Sequence, residues 1–274
     1  QMNIPFSKQI RRLRVGPHHV PVEVTATRRY ASLITIGLVL IIWQGVVMLG
    51  LVSPSLVPEP LAVVEKFSAI IANGRWWLHT STTLVEVLAG LGLGVGIALV
   101  LGYSIAKSRL LEDMLSPIIV SMQSTPVVAY APLLIIWFGS GPTSKIVICA
   151  LTVFFPMLMN TVVGIRSVPD DLYDLMRVTR ATRWQTLTKL EIPAAMPILL
   201  AGLKTSATLS VIGAVVGEFI NANAGIGFMI SVARNQFDTP LVYVGVITLA
   251  LIARTLYGFI SILERRLLMW QRFS

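Results

Sequence analysis

The chain has 274 residues, of which 55% are hydrophobic and 13% are charged, and its formal net charge is +9. A soluble domain carries about 25% charged residues, so this composition excludes an ordinary water-soluble globule, and the apolar content excludes a disordered chain. The single cysteine, Cys149, lies in an apolar run and excludes a disulfide scaffold. The class that remains is a polytopic membrane protein.

The chain begins with a basic segment and continues with six long apolar runs. We expect residues 1–29 to be a cytoplasmic tail and residues 30–274 to be the transmembrane domain. Each apolar run can supply the roughly 20 helical residues that cross a bilayer core, and each is too long and too apolar for a barrel strand. The sequence therefore predicts an all-α fold with six transmembrane helices, at 31–52, 84–106, 114–138, 146–165, 195–217 and 240–262.

The distribution of lysine and arginine predicts the orientation, because basic residues in short loops stay on the cytoplasmic side. With the N-terminus inside, four of the 22 basic residues fall in outer segments, namely Lys66, Arg75, Lys145 and Arg234. Two more, Lys204 and Arg254, fall within spans, and the remaining 16 lie inside. This predicts an N-in, C-in topology. The net charge is then a topology signal and an attraction to anionic lipid, and nucleic acid is not an expected partner.

Two spans carry features that predict local structure. Pro126 removes a helical hydrogen bond in the third span, so we expect that span to be broken there, with its freed carbonyls facing protein or water. Glycines at 90, 92, 94 and 96 in the second span predict close helix packing.

The longest inner loop, 166–194, is strongly patterned. Asp170 and Asp171 predict a helix start, since acidic residues favour the positive end of a helix. Apolar residues follow at helical spacing, and a basic segment containing Trp184 comes next. We expect two short helices at the cytoplasmic face with an exposed turn at 179–182. From the pattern alone, a loop that anchors itself at the interface through arginine and Trp184 is an equal alternative.

This loop resembles the EAA signature of ABC importer permeases. Asp174-Leu175-Met176 stands at the acidic-Ala-Ala triplet, Arg180 at the usual glycine, and Leu190-Glu191-Ile192-Pro193 at the final Ile-x-Leu-Pro. Leucine and methionine replace two small alanines. Arg180 must use a different turn or carry the strain of a left-handed backbone.

Further segments resemble the nitrate, sulfonate and taurine type of ABC permease, a group that includes permeases for thiamine pyrimidine precursors and riboflavin. These segments are Thr125–Leu133, Trp137–Gly141, Phe154–Pro156, Gly225–Gly227 with Glu218, and Leu263–Arg266. The resemblance implies the type I importer permease fold in a bacterial inner membrane.

The resemblance also implies the partners. A second permease copy would complete the pathway as a homodimer. An extracytoplasmic binding protein would deliver a small solute to the outer loops 53–83 and 217–239. No GxxxxGK[ST] phosphate loop occurs in the sequence, so ATP and Mg are expected in two separate ATPase subunits. The resemblance assigns the ATPase-coupling role to the 170–190 segment, and within loop 166–194 to Asp174, Leu175, Met176, Arg177, Thr179, Arg180, Ala181, Thr182, Trp184, Ile192 and Pro193.

Polar side chains within spans are candidates for the translocation pathway, because polar groups facing lipid are costly. Helix-to-helix packing is the alternative for each serine and threonine. The candidates are Ser121, Gln123, Ser124, Thr125, Asn160, Thr161, Thr205, Thr208, Ser210 and Glu218. For Lys204 and Arg254 we expect snorkelling or a structural ion pair. No cluster of embedded histidine and acidic residues predicts a metal site or a catalytic centre.

An ATP-independent secondary transporter or channel is the alternative function. Inverted internal repeats would favour it, and we find no similarity between 31–138 and 146–262. The solute is expected to be a vitamin or pyrimidine precursor, riboflavin, or a sulfonate, taurine or nitrate-type anion. The uncharged pathway candidates favour a neutral or aromatic solute.

Overall fold

The computed structural model describes residues 26–53 and 55–269, and the regular structure in these ranges is helical. The chain divides into two compact units, residues 1–51 and 52–274. The first unit contains α1 (Ala26–Met48), which is apolar from Ile34 onward. The expected tail lies mostly outside the described residues.

The second unit contains ten further α-helices within its described part. They are α2 (Pro60–Ala72), α3 (Arg75–Lys107), α4 (Arg109–Ser124), α5 (Val127–Phe138), α6 (Pro142–Arg166), α7 (Asp170–Val178), α8 (Arg183–Thr186), α9 (Ile192–Ile220), α10 (Ile226–Asn235) and α11 (Thr239–Leu267). A π-helical turn, Leu187–Glu191, joins α8 to α9.

Among the described residues, four continuous helical stretches are long and apolar enough to cross a membrane: α3, α6, Arg183–Ile220 and α11. The pair α4 and α5 makes a fifth span if it is counted as one. The apolar part of α1 has fewer than 18 residues in the described range. The all-α, multi-pass fold is confirmed, while the count of six spans and the orientation stay predictions.

The third span is broken where the sequence predicted it. Helices α4 and α5 meet at a 99° bend, and the two residues between them are Thr125 and Pro126. Pro126 has extended backbone angles and no N–H to continue the helical ladder, so the chain starts a new helix in another direction.

Helices α3, α6 and α9 pack against one another to form the core of the second unit. Gly90 and Gly94 let α3 approach α6. A Cβ at Gly90 would lie 2.4 Å from Cys149 Cβ, and a Cβ at Gly94 would lie 2.5 Å from the Ala150 carbonyl oxygen. Gly92 and Gly96 have no such neighbour within 4 Å. The close packing predicted for four glycines is therefore confirmed for two, those on the face that meets α6.

Two details of the span prediction were wrong. The prediction placed Lys145 in an outer loop, but α6 begins at Pro142 and Lys145 is buried within it, where its ammonium donates to the carbonyls of Ser140 and Gly141. The predicted outer loops also contain helices, α2 and α10. With 13 and 10 residues, these helices are shorter than the apolar runs that cross a bilayer.

Candidate coupling loop and translocation pathway

The loop 166–194 begins with α7, whose first residues are Asp170 and Asp171, as the sequence predicted. The helix is strongly amphipathic and exposes most of its surface. Asp174 accepts a hydrogen bond from Arg177 at 2.9 Å, one turn away, and both side chains are mostly exposed. This pair supports the helix locally and contributes little stability.

α7 ends in a Schellman motif with an arginine at the position that favours glycine. The N–H of Ala181 donates to Met176 O at 2.9 Å, and the N–H of Arg180 donates to Arg177 O at 3.0 Å. Arg180 has a φ of 54°, in the left-handed region. Of the two alternatives drawn from the sequence, the chain adopts the second: Arg180 keeps the turn and carries the strain.

The next helix starts directly after this turn with a capping box. The N–H of Thr182 donates to Gln185 Oε1 at 2.8 Å, and the N–H of Gln185 donates to Thr182 Oγ1 at 3.3 Å. The exposed turn predicted at 179–182 is therefore confirmed. The second short helix is not separate, since Arg183–Ile220 forms one continuous helical stretch of 38 residues.

The residues assigned to coupling divide by exposure. Those on the outside of the loop are Asp174, Leu175, Arg177, Thr179, Arg180, Thr182 and Trp184, and those partly buried are Met176, Ala181, Ile192 and Pro193. Val178, just before the turn, is 82% exposed, and Trp184, just after it, is 71% exposed. The loop thus presents apolar side chains to its surroundings on a backbone that is fixed by hydrogen bonds at both sides of the turn.

A basic residue that the sequence prediction missed fixes the loop to the helix bundle. The ammonium of Lys107, at the end of α3, lies 2.5 Å from Glu191 Oε1 and 3.0 Å from the hydroxyl of Tyr173 on α7. A second ion pair, Arg166 with Glu112, joins the ends of α6 and α4 through two contacts of 2.7 Å. Nothing in the sequence signals which partner each charge selects.

The pathway candidates on α4 and its end lie on the surface of the subunit. Ser121, Gln123 and Ser124 are exposed, and Thr125 is partly buried at the bend. The hydroxyls of Ser121 and Ser124 donate to carbonyls of their own helix at 2.8 Å. Such bonds satisfy the hydroxyl donor and leave lone pairs available to another molecule.

The remaining serine, threonine and asparagine candidates lie on α6 and α9. Thr205 and Thr208 are exposed on α9, Asn160 is partly buried, and Thr161 and Ser210 are buried. Asn160 packs where Gly202 has no side chain, since a Cβ there would lie 2.7 Å from Asn160 Cβ. These contacts show helix packing for Asn160, and the pathway roles of the group stay predictions.

Glu218, the last pathway candidate, is 1% exposed and holds the first turn of α10. Its Oε1 accepts a hydrogen bond from Thr83 at 2.6 Å, and its Oε2 accepts the N–H of Gly227 at 2.5 Å. Thr83 in turn accepts the N–H of Ile226 at 2.8 Å. Gly225 leaves room for this carboxylate, since a Cβ there would lie 2.3 Å from Glu218 Cδ. These bonds link α3, α9 and α10.

Lys204 on α9 forms an ion pair with Glu264 on α11. Its ammonium also lies 5.7 Å from the centre of the Tyr257 ring, on the same helix as Glu264. The structural ion pair expected for Lys204 is therefore confirmed. Among the described residues, no group of three histidine, cysteine or acidic side chains could hold a metal ion.

Several long apolar helices and one broken span define a multi-pass membrane protein. The sequence profile of the family described as "binding-protein-dependent transport system inner membrane component" matches residues 90–269. The chain belongs to this family. It is therefore an inner-membrane permease subunit of an ABC importer for small solutes.

Relatives with assigned names agree with this family. The chain is 44% identical to the riboflavin transport system permease protein of Chloroflexus aurantiacus, over 87% of this chain and 89% of that protein. It is 34% identical to a putative aliphatic sulfonates transport permease protein of Bacillus subtilis, over 86% and 85% of the two chains. A chain of the MetNI methionine ABC transporter, solved in inward-facing conformations, shares the fold with a TM-score of 0.62 and 17% identity, covering 69% of this chain and 94% of that one.

Proposed function

We propose that this chain forms the translocation pathway of an ATP-driven importer and that its 170–190 segment docks on a separate ATPase subunit. The observation that carries the proposal is the turn at 179–182, held by a Schellman motif on one side and a capping box on the other. An ordered turn that exposes Val178, Arg180 and Trp184 offers a partner a preformed surface, which reduces the entropy lost on binding.

The continuous helix Arg183–Ile220 supports a mechanical role for this turn. Since α8 continues through the π-helical turn into α9, a displacement of the docked turn moves a spanning helix without an intervening flexible loop. Rigid-body movement of packed helices is a known route for such switches. ATP and Mg are proposed to bind in the partner ATPase, and the absence of a GxxxxGK[ST] motif from the given sequence supports this.

Two copies of the chain are proposed to form the pathway as a homodimer, with an extracytoplasmic binding protein delivering the solute to the outer loops. The exposed polar residues of α4 and α9 support this arrangement, because lipid is an unfavourable environment for a row of hydroxyls and amides. A second copy placed against them would enclose a polar path.

Riboflavin, or a chemically similar vitamin precursor, is the proposed solute. The support comes from the 44% identity to a permease named for riboflavin and from the uncharged hydroxyl and amide groups among the exposed candidates. A sulfonate-type anion is the second candidate, supported by the 34% identity to a permease named for aliphatic sulfonates.

The coupling proposal is tested by co-purifying the permease with its ATPase subunit and measuring solute-stimulated ATP hydrolysis. We expect Trp184→Ala, Asp174→Lys and Arg180→Glu to stay in the membrane while co-purification and stimulation fall at least fivefold. Trp137→Ala is the matched control, since Trp137 is 69% exposed on α5. Undiminished stimulation in all three loop variants would show that the loop does not couple.

The solute is tested by reconstituting the permease with its ATPase and binding protein in vesicles. Uptake of radiolabelled riboflavin is compared with uptake of taurine and of nitrate at equal concentrations. ATP-dependent riboflavin uptake is the expected result. Uptake of taurine or nitrate without riboflavin would reject the riboflavin assignment and leave the importer assignment intact.

A further inference from the structure

A cleft of about 560 Å³ lies behind the coupling loop, between α7, the end of α3 and the helix that starts at Arg183. Three basic side chains line it, Lys107, Arg177 and Arg183, together with the phenols of Tyr103 and Tyr173 and the carboxylate of Glu191. The cleft lies within the proposed docking segment, since Met176, Arg177 and Ala181 line it. The most exposed apolar side chains of that segment, Val178 and Trp184, do not line it.

The basic side chains of the cleft are unequally neutralised. Lys107 is paired with Glu191 and Arg177 with Asp174. Arg183 has no carboxylate within 4.0 Å in the described part of the chain. The cleft therefore holds an excess of positive charge beside two phenols that can donate hydrogen bonds, a combination that attracts a phosphate group.

One acidic atom in the cleft needs a donor. Glu191 is 2% exposed, and its Oε1 accepts from Lys107. Its Oε2 has no donor within 3.5 Å among the described residues, and the Tyr103 phenol, which lines the same cleft, interacts with this carboxylate without reaching that distance. A buried carboxylate oxygen without a donor is unfavourable. A ligand that carries a hydroxyl as well as a phosphate would satisfy both Glu191 and the neighbouring cations.

An apolar groove of about 410 Å³ lies next to the cleft. Tyr103 lines both the cleft and the groove. On the helix that follows the turn, Thr186 and Glu191 line the cleft, and the next residue after each, Leu187 and Ile192, lines the groove. The groove is completed by aliphatic side chains of α3 and α9, Leu99, Val100 and Leu199, and by Ser104, Ile165 and the pathway candidate Thr161. Val100 is 72% exposed, so the groove opens on the surface of the subunit.

We propose that the cleft and the groove together bind one anionic phospholipid whose headgroup carries free hydroxyls, such as phosphatidylglycerol. The phosphate lies against Arg183 and Lys107, a headgroup hydroxyl donates to Glu191 Oε2, and one acyl chain occupies the groove. A basic pocket beside spanning helices is the expected form of an anionic lipid site. A soluble phosphate would leave the groove empty, and an acidic protein segment would place polar backbone against Leu99, Val100 and Leu199.

The test is native mass spectrometry of the full chain purified in detergent and mixed with equal amounts of phosphatidylglycerol and phosphatidylcholine. We expect the chain to retain phosphatidylglycerol at least fivefold over phosphatidylcholine. Arg183→Gln, which removes the unpaired cation, and Val100→Phe, which fills the groove, should each lower retention at least fivefold. Lys189→Gln and Val85→Phe are matched controls, an exposed lysine near Arg183 and an exposed valine of α3 outside the groove.

Four results would overturn the proposal, and the first three concern the lipid itself. The first is equal retention of the two lipids by the unmodified chain. The second is unchanged retention by both Arg183→Gln and Val100→Phe, provided that these variants keep the thermal stability of the unmodified chain. The third is complete displacement of the lipid by millimolar inorganic phosphate. Displacement by the purified ATPase subunit would likewise overturn it, because the cleft would then belong to the protein interface.

Discussion

The ammonium of Lys107 lies 2.5 Å from a carboxylate oxygen of Glu191, 84 residues away in sequence. The Glu191 side chain is 3% exposed, whereas that of Lys107 is 37% exposed. The pair joins the end of α3 to the start of α9, and the second bond of Lys107, to Tyr173, includes α7. One side chain thus sets the position of the loop on the bundle.

Lys107→Met should destabilise the protein by about 3 kcal/mol, because it leaves the buried Glu191 carboxylate without its partner. The measurement is the change in unfolding free energy, followed by tryptophan fluorescence in detergent. Lys189→Met, at an exposed lysine two residues before Glu191, should change it by less than about 0.5 kcal/mol. Equal effects of the two substitutions would contradict a specific role for Lys107.

Arg180→Asn should stabilise the coupling turn by about 1 kcal/mol, since asparagine adopts the left-handed backbone more readily than arginine. Hydrogen exchange at the amide of Ala181, which closes the Schellman motif, measures this local change. Exchange should slow about fivefold. Arg180→Val should accelerate exchange, because a β-branched residue is disfavoured at positive φ; slower exchange in that variant would contradict the strain argument.

Gly94→Ala should destabilise the bundle by about 2 kcal/mol, because the new methyl group would lie 2.5 Å from the carbonyl oxygen of Ala150 and force α3 away from α6. Gly96→Ala, two residues further along the same helix, meets nothing within 4 Å and should be neutral or stabilising by up to about 1 kcal/mol. Thermal unfolding of both variants checks the difference in sign.

Thr83→Val should destabilise the protein by about 3 kcal/mol. It removes the donor to Glu218 and the acceptor for the Ile226 N–H, so two buried polar groups lose partners. Thr82→Val is the control, because the Thr82 hydroxyl donates to Leu78 O within its own helix. If the two variants unfold at the same temperature, Thr83 does not anchor α10.

The sequence alone was sufficient for features that depend on local chemistry. Pro126 predicted the break between α4 and α5, the aspartates at 170 and 171 predicted the start of α7, and the spacing of the loop predicted the turn at Arg180. Each follows from backbone geometry within a few residues.

Features that depend on tertiary contact could not be predicted in this way. Thr83 and Glu218 are 135 residues apart, and neither sequence neighbourhood specifies the other. The cleft behind α7 arises only when α3, α7 and the π-helical turn come together. The extension of α8 into α9 was not predicted. Pro193 lies in the first turn of α9 and Pro197 within that helix, and neither ends the helical stretch.

The stretch from Arg183 to Ile220 contains 38 helical residues, which corresponds to about 57 Å along its axis. Trp184 lies at one end and Glu218 near the other. The same helical stretch therefore carries the proposed contact with the ATPase subunit and the carboxylate that fixes the first turn of α10. In the proposed mechanism, a displacement of the helix at Trp184 would also displace α10 at its other end. The cytoplasmic and outer sides of the importer could then be coupled through this helix without a contribution from the solute.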